Sequence, residues 1–157
     1  MSDLSLRGEF TAFIDGWYRA HPPRHGILVD VSGEDCSTWN MVSDRNWFAI
    51  IIDLERNELL KDRYKKYNLQ TILIDKLVHP EGEWLSEELA YRCCPLNFDY
   101  LHAGESAVAG LLANSEFRPG LIMMPHGDEK DRISEWMGEY GYGVRFHNAV
   151  NGAWSLG

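Results

Sequence analysis

Three consecutive isoleucines set behind two aromatics in Asn46-Trp-Phe-Ala-Ile-Ile-Ile-Asp-Leu-Glu55 leave little choice of structure. β-branched and aromatic side chains pack well on a pleated surface and lose rotamer freedom in a helix, so this run reads as a central strand. A strand needs partners, and the flanking sequence offers them. Gly26-Ile-Leu-Val-Asp-Val-Ser32 reads as a buried strand closed by Ser32-Gly33, and Leu69 to Val78 as the next one, punctuated by Pro80-Glu-Gly-Glu83. Arg56 to Asn68, with five basic residues, joins the second and third runs as a short helix or a long hairpin loop.

Helical spacing frames these strands. Apolar residues at Leu4, Leu6, Phe10, Phe13, Ile14 and Trp17 recur mostly three or four apart and predict a helix ending before His21-Pro22-Pro23. Trp84 to Tyr91 and the Ala-rich segment Tyr100 to Asn114 predict two more, and a short one is possible from Ser37 to Val42. The best-marked helix runs from Glu129 to Tyr140, with Asp128 as its cap and Gly141 and Gly143 as its stop. Gly120 to Pro125 is of strand length, and Val144 to Val150 and Ala153 to Leu156 flank Asn151-Gly152, a type I′ hairpin signal. The 157 residues fit one domain spanning 1–157. Hairpins at Asn46 to Val78 and Val144 to Leu156 predict an α+β fold: a mostly antiparallel sheet of about five strands with three to four helices packed on it. The stretch Leu121 to Val150 would add one parallel pair.

Charge and cysteine usage narrow the partners and the compartment. A formal net charge of -9 opposes nucleic acid and anionic membranes and favours a basic protein partner. Three cysteines, two of them adjacent at 93 and 94, do not make a disulfide framework, which implies a reducing compartment. Residues 1–10 lack a secretory signal, and no apolar run approaches the roughly 20 residues a bilayer span requires. The expectation is a cytoplasmic protein.

Two functional readings follow. From Pro80 to Phe117 there are seven acids against the single base Arg92, so this segment holds six of the nine excess negative charges. It also carries aromatic anchors. Glu81, Glu83, Trp84, Glu87, Glu88, Tyr91, Asp99 and Tyr100 therefore form the expected surface of a small acidic inhibitor of the immunity type, occluding a basic partner such as a toxin.

The alternative is a cysteine hydrolase or amidase. Asp35-Cys36-Ser37 follows a predicted strand and resembles the nucleophile segment of bacterial papain-like cell-wall peptidases. That resemblance implies Cys36 as nucleophile with a later histidine as base. His126, in the loop before the best-marked helix, or His147 as the base, with Asp128 as the orienting acid, completes the candidate set. The histidines lack metal-ligand spacing, and no Gly-x-Gly-x-x-Gly or Walker-type loop is present, so neither a metal nor a cofactor is expected.

Overall fold

The computed structural model describes residues 3–31, 38–52, 71–74 and 83–157. Their elements are α1 (Asp3–Ala20), β1 (Ile27–Asp30), α2 (Thr38–Arg45), β2 (Phe48–Ile52), β3 (Thr71–Ile74), α3 (Glu83–Tyr91), β4 (Tyr100–His102), α4 (Glu105–Asn114), β5 (Leu121–Pro125), α5 (Lys130–Glu139), β6 (Tyr142–His147) and β7 (Asn151–Leu156).

Seven strands form one sheet in the order β3-β2-β1-β4-β5-β7-β6. Neighbours from β3 through to β5 are all parallel. β7 alone runs the other way, antiparallel to both β5 and β6. The architecture is α/β with a mostly parallel sheet, which overturns the expected α+β fold with five antiparallel strands.

Three local features account for the difference. β2 and β3 pair in parallel, Ile50 opposite Ile72, and the stretch 53–70 between them has the dozen or more residues a crossover requires. Tyr100 to Asn114 is not one helix: its first three residues are β4, at the centre of the sheet. β5 and β6 do not pair, because β7 lies between them, and Asn151-Gly152 belongs to β7 rather than to a turn.

Register sorts the sheet residues onto two faces. Ile72, Ile50, Val29, Leu101, Ile122 and Trp154 lie in one row across six strands. Leu85 and Leu89 of α3, Val108, Leu111 and Leu112 of α4, and Ile133 and Met137 of α5 pack on this face. On the other face Leu28, Ala49, Ile51, Tyr100 and Leu121 meet Phe10, Ile14 and Tyr18 of α1 and Met41 and Val42 of α2. Phe10, Ile14 and Tyr18 fall four apart, so one stripe of α1 is buried while Gly8, Ala12 and Gly16 face outward. Among the described residues no helix is long and apolar enough to cross a membrane.

Candidate functional site

In a parallel sheet all strand ends of one kind lie at one edge, and chain direction then decides where that edge opens. From β1 the chain passes through α2, on the α1 face, to β2; from β4 it passes through α4, on the opposite face, to β5. The two crossovers leave adjacent strands in opposite directions. That divergence makes the carboxyl ends of β1 and β4 the topological switch point of the sheet, the position at which open α/β sheets bind ligands in a crevice.

Two buried polar side chains stand at this point. Asp30 and His102 are the last residues of β1 and β4, directly opposite in register, and are 1% and 4% exposed. The His102 Nδ1 lies 3.3 Å from Asp30 Oδ1. A carboxylate only accepts, so the contact suits an imidazole that carries a hydrogen on Nδ1, neutral or protonated. The row around them is otherwise apolar, with Ile51 beside Asp30 and Met123 beside His102. Burying such groups costs several kcal/mol unless they are paired, and the pair meets that cost at the mouth of the crevice. The His102 carbonyl also accepts the Val31 N–H at 2.8 Å, so the backbone beyond β1 is fixed to β4 as well.

A second polar cluster braces the same edge. Glu105 opens α4 only three residues after His102 and receives two hydrogen bonds from the Arg132 guanidinium, at 2.8 and 2.7 Å. Arg132 also reaches Glu129 at 2.6 Å, and Trp136 Nε1 donates to Glu105 at 3.1 Å. The Arg132 hydrogen bonds hold the Glu105 carboxyl below its ordinary range, with the Trp136 bond adding to the effect and partial burial opposing it. The network ties the start of α4 to the first two turns of α5.

The residues expected from the sequence are dispersed. Cys36 and Glu81 lie outside the described residues. His126 is buried just after β5, where its ring nitrogens face the carbonyls of Gly127 and Asn148, the latter at 2.9 Å. It fastens the end of β5 to the β6–β7 turn. Asp128 is exposed in the following turn, and the residue capping α5 is Glu129 rather than Asp128.

The acidic aromatic segment is split by depth. Glu83 opens α3, and Trp84 is half-buried against the core. Glu87 is exposed, Glu88 pairs with Arg92 at 3.3 Å, and Tyr91 is 79% exposed beneath the Arg92 guanidinium. Asp99 and Tyr100 are interior, not surface: the Asp99 carboxylate accepts the backbone N–H groups of Arg24, His25 and Ile27, and the Tyr100 hydroxyl contacts Met123 Sδ at 3.3 Å. Sequence reasoning does not single out Asp30, His102, Glu105 or Arg132. An acid closing an otherwise apolar strand, Ile27-Leu-Val-Asp30, is the available signal for the first. His102 has none, because its strand reads as part of a helix.

No protein-family model and no curated protein matches the sequence. Solved structures do match the fold. The methyltransferase domain of METTL16 aligns with a TM-score of 0.66 at 9% identity, over 96% of this chain and 67% of that one. Magnesium protoporphyrin IX methyltransferase from Synechocystis, solved with bound SAM, aligns at 0.61 and 8% identity, over 99% and 82%. The methyltransferase domain of bacterial CtHen1 aligns at 0.54 and 13% identity, over 94% and 96%. The chain has the fold of these proteins. That likeness overturns the expectation of an immunity-type inhibitor, and the alternative of a cysteine hydrolase with it, since both rested on composition or on three residues while the whole sheet follows another architecture.

Proposed function

We propose that the chain is a methyltransferase binding S-adenosylmethionine in the crevice beyond β1 and β4. The observation that carries this reading is the strand order with its single reversed strand β7, combined with an acidic end to β1 at the crevice. The fold is shared with proteins titled as methyltransferases, one of them solved with SAM.

The donor chemistry suits this cofactor better than a nucleotide carrying phosphates. Asp30 ends β1, and the connection after it reads Ser32-Gly-Glu-Asp-Cys-Ser37, with two acids and one glycine. Asp53 follows β2 directly in the sequence. Phosphate cradles draw on several glycines and a helix N-terminus free of acids, whereas carboxylates favour a cation or hydroxyl groups. When bound, the cofactor supplies an electrophilic methyl group on a sulfonium sulfur. The chain's own part is to hold that cation near Asp30, to keep water out with the apolar row of Ile51 and Met123, and to fix the acceptor's side through the Glu105–Arg132–Glu129 brace.

The net charge of -9 argues against a nucleic-acid acceptor, since phosphate backbones are bound by surplus lysine and arginine. Cys93 and Cys94 are free thiols, which supports a reducing compartment such as the cytoplasm. The test is calorimetric titration with S-adenosylmethionine and S-adenosylhomocysteine. Binding of one equivalent, weakened about tenfold or more by Asp30→Asn, is expected. No heat from either ligand at millimolar concentration removes the reading.

A further inference from the structure

We propose that the edge formed by the amino ends of β1, β4 and β5, opposite the switch point, is a docking surface for an acidic segment of a partner protein that also carries apolar side chains. This surface is independent of the methyl-transfer reading.

Three stretches of chain meet at this edge. The Asp99 carboxylate holds the backbone N–H groups of Arg24 and His25, and the His25 Nε2 lies 2.9 Å from Asn97 Oδ1. The Arg118 N–H donates to the Leu96 carbonyl at 2.7 Å, and the Gly120 N–H to that of Phe98 at 2.9 Å. Residues 24–27, 91–99 and 118–120 therefore form one continuous surface. The Tyr18 hydroxyl, donating to the Asp99 carbonyl, brings the last turn of α1 to it.

The charge here is opposite to that of the whole chain. Over 19–26, 91–97 and 116–120 there are four arginines and two histidines against one acid, Glu116, in a chain of net charge -9. Arg19 and Arg24 are exposed, and among the described residues no carboxylate pairs with either or with Arg118. Arg92 pairs with Glu88 at 3.3 Å.

Two of these arginines are held in place before any partner arrives. The Arg92 guanidinium lies 5.4 Å from the centre of the Tyr91 ring. That of Arg118 lies 5.4 Å from the Tyr140 ring and donates to the Ser115 and Phe117 carbonyls. Side chains fixed beforehand lose little freedom on association. Tyr91, 79% exposed, and Leu96, 50% exposed, supply apolar area in the same stretch. Arginine and tyrosine are the residue types in which binding energy concentrates.

Such a surface selects among anions. Repulsion by the net charge of the chain grows with the charge of the ligand, and duplex nucleic acid carries one negative charge per roughly 1.7 Å. A short segment with about as many carboxylates as there are arginines here meets far less of it. Tyr91 and Leu96 also call for apolar side chains beside those carboxylates, which a phosphate backbone does not supply. An occupant of this edge leaves the carboxyl ends of β1 and β4 uncovered.

The experiment is fluorescence anisotropy of the full chain with a labelled peptide of about twelve residues, one glutamate for each arginine among leucine, phenylalanine and serine. Binding is expected, weakened about tenfold or more by Arg24→Glu together with Arg92→Glu and by about 0.5 M salt, and absent when lysine replaces the glutamates. The peptide is also expected to slow alkylation of Cys93, exposed next to Arg92, in the unaltered chain. That second readout holds even if the double variant does not fold. No binding at about millimolar peptide, full binding by a folded double variant, or an unchanged rate at Cys93 overturns the proposal. Tighter binding of a thymidine oligonucleotide or of phosphatidylserine vesicles than of the peptide also overturns it, since the edge then recognises extended phosphate rather than protein.

Discussion

The Asp99 carboxylate lies 3.0 Å from the backbone N–H of Ile27, tying the first residue of β1 to the residue that precedes β4. The same oxygen accepts from His25 and the other from Arg24, so three donors converge on one buried acid at the edge opposite the crevice. Asp99→Asn replaces one acceptor with an amide that points hydrogens at backbone hydrogens. A loss of about 2–4 kcal/mol is expected, read as a lower urea midpoint at unchanged slope. A change below about 0.5 kcal/mol would mean that solvent already satisfies those N–H groups.

Gly152 is packed against the six-membered ring of a buried indole. A Cβ built there would stand 2.5 Å from Trp154 Cη2, and Trp154 is itself held by its Nε1 bond to Ser134 at 3.0 Å. Gly152→Ala should therefore cost about 1–3 kcal/mol through overpacking, together with a shift in tryptophan fluorescence as the ring moves. A variant of wild-type stability and emission would show that the ring has room to turn.

Alkaline pH acts on three buried groups in one direction. Burial raises Tyr18 well above its ordinary value, with the Asp99 charge adding to the effect; it raises Tyr142 likewise and pushes the Cys94 thiol up to about 12. A group raised in the folded state contributes its full stability below its unfolded value and loses it as pH climbs through the folded one. Stability should be level up to about pH 8.5 and fall steadily from pH 9 to 11, less steeply in Tyr18→Phe. Urea midpoints across that range decide it, and a flat profile contradicts the burial of these groups.

The adjacent thiols should differ in reactivity. Cys93 is exposed at the end of α3 with φ of 57°, while Cys94 turns inward against the core. At pH 8 iodoacetamide is expected to modify Cys93 at least about tenfold faster than Cys94, because the thiolate is the reacting species. Peptide mapping by mass spectrometry gives the ratio, and equal rates would place Cys94 at the surface.

Removing the brace of α4 and α5 should be visible in one carboxyl group. In Arg132→Gln the Glu105 titration midpoint, followed by carboxyl NMR, moves up toward the ordinary carboxylate range. An unmoved midpoint would mean that Trp136 alone holds the acid.

Most strands were legible because their residues are β-branched or aromatic and bounded by turns: Ile27–Asp30, Phe48–Ile52, Thr71–Ile74 and Leu121–Pro125 all fall inside expected runs. Pairing was not legible. Parallel and antiparallel neighbours have similar local composition when both faces are buried, and the strand that decides the topology is Tyr100-Leu-His102, three residues that merge into an alanine-rich helix. Without β4 there is no neighbour for β1 on that side and no crevice. The site was lost with it, since Asp30 and His102 come together only across that pairing. The acidic surface failed for a different reason: Asp99 and Tyr100 count as charge and aromatic content in composition, yet composition carries no depth.

The seating of β7 between β5 and β6 sets an order on assembly during synthesis. Residues 121–147 leave the ribosome before the strand that joins their two halves, so β5 shows an unpaired edge and β6 has no partner in the sheet until 151–156 have emerged. Such edges invite pairing with other chains. Until β7 swings in between them, the incomplete sheet offers two edges to other chains, and a variant that slows the seating of β7 would raise aggregation without touching either neighbour.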